Sequence, residues 1–202
     1  MSLPTLPQAL QKLGYRTAAI GKLHVYEGVP ERLDLTRPEI EGSTRSLGYD
    51  ELHEVSGKGL AYYCNCRWTE MIEEAGHLES YRREEEWRGL DSPDAFKPFQ
   101  YRDEAYQDIY IGAHCERWLR EVETDRPFFL WAGMVSPHLP FDAPERLLRK
   151  YPPEEQPGPV DAETTARTQL QRSHYAAMVE LVDVQVGRLL KVLDERGLAE
   201  NT

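Results

Sequence analysis

The chain has 202 residues and a formal net charge of −11, from 24 lysines and arginines against 35 aspartates and glutamates. A chain of this length buries roughly 70% of the surface that its unfolded form exposes, so it can form its own hydrophobic core. The acidic balance argues against nucleic-acid binding, which depends on basic groups that neutralise phosphates. No apolar run reaches the ~18–20 residues of a transmembrane helix, so we expect no membrane segment.

The three cysteines do not predict a disulfide framework or a metal site. Cys64 and Cys66 are separated by one residue, which is too close for a good zinc-binding pair, and no second Cys/His pair follows at the required spacing. We therefore expect no metal ligands in this chain.

The first twenty residues predict a helix followed by a strand. Residues 5–13 carry apolar side chains at helical spacing, and a glycine follows them. Residues 15–20 form a short β-prone segment, and polar residues come directly after it. This order is typical of an α/β sheet, in which ligands bind at the carboxyl ends of the strands.

The remainder of the chain divides into an irregular part and a regular part. Residues 25–103 show no sustained pattern and predict an irregular insertion with short elements. Residues 104–202 predict a helix, a strand, a loop and a long helix, in that order. Residues 127–135 contain no charge, which is typical of a central parallel strand that is covered on both faces. The long helix is expected over residues 163–196.

Three polar residues follow the two predicted strands. Lys22 and His24 come after the first strand, and His138 comes after the second. If the two strands are parallel neighbours, these side chains converge at one sheet edge and form a small cationic pocket. Such a pocket suits an anionic group such as sulfate or phosphate. A histidine that follows a strand is more often structural than functional, so position alone does not decide between the two interpretations.

Four segments, in a fixed order, resemble the motifs of one enzyme family. Residues 14–24 are similar to a signature in which Gly-Tyr-x-Thr leads into Gly-Lys-Trp-His, with Leu23 in place of Trp. Residues 48–50 resemble its Gly-Phe-Asp, and residues 127–141 resemble its Pro-Phe-Phe-Leu strand and Pro-His-x-Pro-Phe loop. Residues 175–202 resemble the long helix that precedes its metal-binding strand. The family is that of the sulfatases, in the alkaline-phosphatase superfamily, and the chain resembles an internal fragment of bacterial arylsulfatase-like or choline-sulfatase-like enzymes.

The resemblance implies an α/β fold of the alkaline-phosphatase type, with a mixed, mainly parallel sheet flanked by helices and incomplete in this chain. It also implies hydrolysis of small-molecule or carbohydrate sulfate esters. In that family a formylglycine made from Cys or Ser attacks sulfur, and a divalent cation, usually Ca²⁺, holds the sulfate oxygens. By position, Lys22 matches the lysine that contacts the sulfate. His24 matches the histidine that holds the formylglycine hydroxyl, and His138 matches the one that reaches the sulfate or the leaving oxygen.

The sequence departs from the family at the nucleophile and the metal ligands. No Cys/Ser-x-Pro-x-Arg motif occurs, and the paired aspartates of the family's first strand are absent. The chain stops at Thr202, before the family's Asp-His/Asn-Gly metal motif. We therefore expect residues 1–202 to be a partial catalytic domain, with the formylglycine and the Ca²⁺ ligands outside it. Two alternatives stay open: a phosphonate or phosphodiester hydrolase of the same superfamily, and an inactive sulfatase-like protein that binds anions.

Overall fold

The computed structural model describes residues 3–25, 33–83, 95–160 and 163–202. Along these residues the helices and strands follow in this order: α1 (Leu6–Lys12), β1 (Arg16–Gly21), α2 (Pro38–Arg45), β2 (Glu51–Glu54), α3 (Arg67–Glu74), α4 (Leu78–Arg83), α5 (Gln107–Glu121), β3 (Phe128–Gly133), α6 (Glu145–Leu148) and α7 (Ala166–Glu195). Short 3₁₀ helices lie at Leu60–Tyr62, Asp103–Ala105, Pro153–Glu155 and Ala199–Asn201.

The three described strands form one parallel sheet with the order β2-β1-β3. The register between β1 and β3 runs from Arg16 opposite Phe128 to Gly21 opposite Gly133. The prediction that these two strands lie in one mainly parallel sheet is therefore confirmed. Since all three strands run in the same direction, their carboxyl ends meet at a single edge of the sheet.

The first and last helices begin at residues that the sequence marks. Thr5 caps α1 and forms a capping box with Gln8, while Thr165 does the same for α7 with Thr168. The helix α7 ends at Glu195, and Gly197, two residues later, has a positive φ of 67°. The predicted helices at the two ends of the chain are therefore confirmed.

The hydrophobic core has two clusters, which α5 connects. The helix α5 contacts β1, β3 and α7. The first cluster lies against the sheet, and its largest members include Trp68, Ile72, Tyr81, Ile111 and Leu119. The second cluster lies between the loop after β3 and α7, and it includes Phe96, Phe141, Leu147, Met178 and Leu181. Within the residues that the structure describes, no helix is both long and apolar enough to cross a membrane.

The segment 25–103 is more regular than the sequence predicted. Its described residues contain short helices, and they also supply β2, which pairs with β1 from Ala18 opposite Glu51 to Gly21 opposite Glu54. The sequence analysis missed β2 because Glu-Leu-His-Glu is short and mostly polar. The pairing with β1 forms the strand, as expected when tertiary context overrides local propensity. Residues 26–32 and 84–94 of this segment lie outside the described residues.

The prediction that the strand at 127–135 is covered on both faces is wrong for the described residues. Phe128, Leu130 and Ala132 pack against the first core cluster. Trp131, on the opposite face, is 45% exposed. One face of β3 packs on the core and the other does not, and β3 lies at an edge of the sheet that the three described strands form.

Candidate active site

Lys22 lies directly beyond the carboxyl end of β1, where β1 and β3 approach closely. Its backbone N–H donates to the carbonyl of Gly133 over 2.8 Å, and its carbonyl accepts from Trp131 Nε1 over 3.0 Å. Gly21, with φ of 108°, permits this approach, since a Cβ there would overlap the carbonyl of Gly133. Both backbone hydrogen-bonding groups of Lys22 are therefore bound to residues of β3.

The side chain of Lys22 is partly buried beside the loop that follows β2. A Cβ added to Gly57 would lie 3.0–3.2 Å from Lys22 Cδ, Cε and Nζ, so a larger residue at position 57 would crowd the ammonium. Burial lowers the pKa of Lys22 below its ordinary value. No carboxylate among the described residues forms an ion pair with this ammonium. A bound anion would supply the missing countercharge.

His24 lies two residues further on, at the same edge of the sheet. Its φ is 58°, and it is the one non-glycine residue with a positive φ in the part of the chain that the structure describes. This left-handed conformation is uncommon for residues with a side chain and tends to occur at functional sites. The imidazole of His24 is exposed to solvent.

His138 is carried by the loop that follows β3, and its ring is also exposed. The peptide bonds Ser136-Pro137 and Leu139-Pro140 on either side are cis. His138 Nδ1 lies 2.7 Å from the carbonyl oxygen of Leu139. Because a carbonyl only accepts, Nδ1 carries the proton. The neutral ring thus presents Nε2 as an acceptor, and the protonated ring presents it as a donor.

A buried ion pair lies beneath this loop. Lys58 Nζ donates to Asp142 Oδ1 over 2.6 Å, and both side chains are almost completely buried. Lys58 also donates to the hydroxyl of Tyr106, which in turn donates to Asp142 Oδ1 over 3.0 Å. Burial, together with the carboxylates of Asp142 and Asp108, raises the pKa of Tyr106 well above its ordinary value. Tyr106 therefore keeps its proton and serves as a donor.

A second buried carboxylate binds the start of the same loop. Asp108, in the first turn of α5, is fully buried. Its oxygens accept from the N–H of Val135 over 2.5 Å, from the N–H of Ser136 over 3.1 Å and from Ser136 Oγ over 2.5 Å. Position at a helix N-terminus also favours the negative charge.

The sequence analysis did not predict the roles of Lys58, Asp108 or Asp142. Lys58 follows a strand that was itself missed, and Asp142 is the last residue of the loop that carries His138. A detectable signal was present at Asp108, a charged residue between apolar positions of a predicted helix. Sequence spacing alone does not show that these three side chains approach one loop.

The family model of the sulfatases matches residues 2–202, almost the whole chain. The chain belongs to the sulfatase family. The match begins before α1 and extends beyond the end of α7, so it includes all three predicted site residues.

Similar sulfatases include an arylsulfatase of Clostridium perfringens, which is 25% identical over 98% of this chain and 44% of its own length. An ulvan-active sulfatase of Formosa agariphila is 25% identical over 75% of this chain and 32% of its own length. Among solved structures, the phosphonate monoester hydrolase SpPMH of Silicibacter pomeroyi superposes with a TM-score of 0.63 at 17% identity. The superposition covers 98% of this chain and 45% of the hydrolase chain. This last likeness shows the shared fold, and the chain spans less than half of these relatives.

Sulfatases generally use a metal ion and a formylglycine, and the described residues are not arranged to provide either. No group of three or more His, Cys, Asp or Glu side chains in residues 3–25, 33–83, 95–160 and 163–202 is arranged to hold a metal ion. The three cysteines are free, and all of them are buried. We assign no chemical step in this chain to either group.

The structure thus brings the three sequence-predicted residues to one edge of the sheet. Lys22 and His24 follow β1, and His138 follows the neighbouring parallel strand β3. The arrangement offers one ammonium and two imidazoles at the position where α/β sheets bind ligands. Ammonium and imidazole groups are of the chemical kinds that proteins use to bind anions and to transfer protons.

Proposed function

We propose that this chain supplies the sulfate-binding side of a sulfatase active site, in an enzyme that hydrolyses small-molecule or carbohydrate sulfate esters. One observation carries the proposal: in a chain of the sulfatase family, Lys22 and His138 follow adjacent parallel strands at their carboxyl ends. The ulvan-active relative supports the carbohydrate class of substrate. The arylsulfatase relative supports the small-molecule class.

Each of the three residues has a distinct proposed role. Lys22 donates to the sulfate oxygens, because its partly buried ammonium lacks an ion-pair partner among the described residues and gains one from the anion. His138 Nε2 donates to the sulfate or gives its proton to the leaving oxygen as the S–O bond breaks. His24 would hold the hydroxyl of a formylglycine nucleophile. In such an enzyme formylglycine would supply the nucleophile, and a divalent cation such as Ca²⁺ would offset the negative charge of the sulfate oxygens; the described residues provide no ligand cluster for that cation.

The proposal is tested by titrating the ¹⁵N-labelled chain with sodium sulfate at constant ionic strength, observed by NMR. Lys22→Ala should weaken sulfate binding about tenfold or more, because a hydrogen bond to a charged group contributes about 1.5–3 kcal/mol. Lys12→Ala is the matched control, since Lys12 is exposed and lies before β1, away from the carboxyl edge. The proposal fails if the two variants bind sulfate equally well.

The same titration with phosphate separates the main alternative. A phosphonate or phosphodiester hydrolase should bind phosphate more tightly than sulfate, with the same dependence on Lys22. The sequence relatives favour sulfate, and the phosphonate monoester hydrolase likeness concerns the fold.

A further inference from the structure

The loop of residues 135–142, which carries His138, is bound at both ends by buried charges. We propose that Asp108 and Lys58 are positioning residues for His138, and that they act through this loop rather than on substrate. The inference rests on the proposed function, in which His138 must be held in place to meet the substrate.

The first anchor is Asp108. A fully buried carboxylate is costly unless donors surround it, and Asp108 receives donors from two consecutive residues of the loop. Two of these donors are the backbone N–H groups of Val135 and Ser136, so the backbone itself is held against α5. The chain direction at the start of the loop is thereby set by α5.

The second anchor is the ion pair of Lys58 and Asp142 at the other end of the loop. Lys58 comes from the segment after β2, so this anchor connects the loop after β3 to the loop after β2, on the other side of β1. The hydroxyl of Tyr106 connects the two anchors, since it lies 3.3 Å from Ser136 Oγ and 3.0 Å from Asp142 Oδ1. A single network thus spans both ends of the loop.

Between the anchors, the ring of His138 has little support of its own. It is exposed, and among the described residues its ring bonds to the carbonyl of the adjacent Leu139. The direction of Nε2 therefore follows from the backbone of the loop, which the two anchors set. Misplacement of a reacting group by about 1 Å can lower a rate on the order of 100-fold. The network is therefore suited to keep His138 in place.

The test compares Asp108→Ala with Glu116→Ala in the ¹⁵N-labelled chain. Glu116 is the matched control because it is a carboxylate on the same helix that pairs with Arg120 and Arg188, away from the loop. The readouts are the ring ¹⁵N shifts of His138, which report its tautomer, and the amide exchange rate of Ser136. In Asp108→Ala we expect the Nδ1–H tautomer to lose its dominance. We also expect exchange of the Ser136 amide to accelerate about tenfold or more.

The inference is overturned if both variants give the His138 tautomer and Ser136 exchange of the unaltered chain at equal melting temperature. If Asp108→Ala does not fold, Ser136→Ala replaces it, because that variant removes one donor to Asp108 and leaves the carboxylate in place. Lys58→Met tests the second anchor by the same tautomer readout. These measurements need no sulfate, so a chain that binds none would refute the proposed function and still decide whether Asp108 positions His138.

Discussion

The ion pair between Lys58 and Asp142 gives the sharpest prediction about stability. Both side chains are almost completely buried, and their charged atoms lie 2.6 Å apart. Replacing Asp142 by Ala leaves the ammonium of Lys58 buried, and among the described residues its side-chain partner is then the Tyr106 hydroxyl. Breaking a buried pair in this way lowers the free energy of unfolding by about 3–5 kcal/mol, because an uncompensated charge remains away from water.

The double variant Lys58→Met/Asp142→Leu should be much less destabilised than Asp142→Ala. Apolar residues of similar volume remove both desolvation costs together, and such replacements are often neutral or stabilising by about 1–4 kcal/mol. The exposed pair of Arg149 and Glu145 provides the control, with an expected loss below about 1 kcal/mol for Arg149→Ala.

Urea unfolding of the 202-residue chain, followed by tryptophan fluorescence, measures these differences. Two results would refute the reasoning. One is a loss for Asp142→Ala no larger than that for Arg149→Ala, which would mean that the pair is solvated. The other is a loss for the double variant equal to the sum of the losses for Lys58→Met and Asp142→Leu, which would mean that the charges are not coupled.

Three further predictions follow from other parts of the chain. Burial lowers the pKa of His174 to about 4 in the folded chain, against 6.5 ordinarily, so between these pH values the unfolded chain binds a proton that the folded chain does not. The free energy of unfolding should therefore fall by about 3 kcal/mol for this residue as the pH drops from 6.5 to 4. In His174→Phe this contribution to the pH dependence of the free energy of unfolding, measured in urea, should be lost. An unchanged pH dependence would contradict the assignment. Gly21→Ala should lower the free energy of unfolding by more than about 1 kcal/mol, because the added Cβ would overlap Gly133. Gly187→Ala in α7 is the control and should raise stability, since a Cβ there meets open space. Similar melting temperatures for both variants would count against the close approach of β1 and β3. Calorimetry of the chain should detect no tight Ca²⁺ binding, since the described residues hold no cluster of three metal ligands. The chain should also not hydrolyse an aryl sulfate, since it lacks the motif Cys/Ser-x-Pro-x-Arg. Turnover that a substitution within the chain abolishes would show that the nucleophile lies inside it.

The sequence predicted the elements with long or uninterrupted apolar patterns. The helices α1, α5 and α7 and the strands β1 and β3 were predicted because their periodicity or continuity survives in a single sequence. The strand β2 was not, since its four mostly polar residues become a strand through pairing with β1. The exposure of Trp131 was also not predicted, because an apolar run does not show which of its faces is packed.

The candidate site was predicted in part. Lys22, His24 and His138 were found because each follows an apolar strand and because their segments resemble sulfatase motifs; their roles stay predictions. The network of Lys58, Asp108 and Asp142 could not be found in this way. Its members are distant in sequence: Lys58 and Asp142 follow β2 and β3, whose ends the parallel pairing brings to one edge, while Asp108 reaches the same loop from α5.

The most direct test of the central claim is the turnover of His138→Ala. It is measured on an aryl sulfate, in a protein that carries this chain together with the family's nucleophile and metal motifs, alongside the melting temperature of the same sample. Losing one donor to a developing charge typically lowers kcat on the order of 10²–10³, whereas a substitution in an exposed loop changes stability by only about 0.5 kcal/mol. We therefore predict a kcat lower by about that factor with a nearly unchanged melting temperature. An unchanged kcat, or a loss of activity that only follows a loss of folded protein, would contradict the placement of His138 in a sulfatase active site.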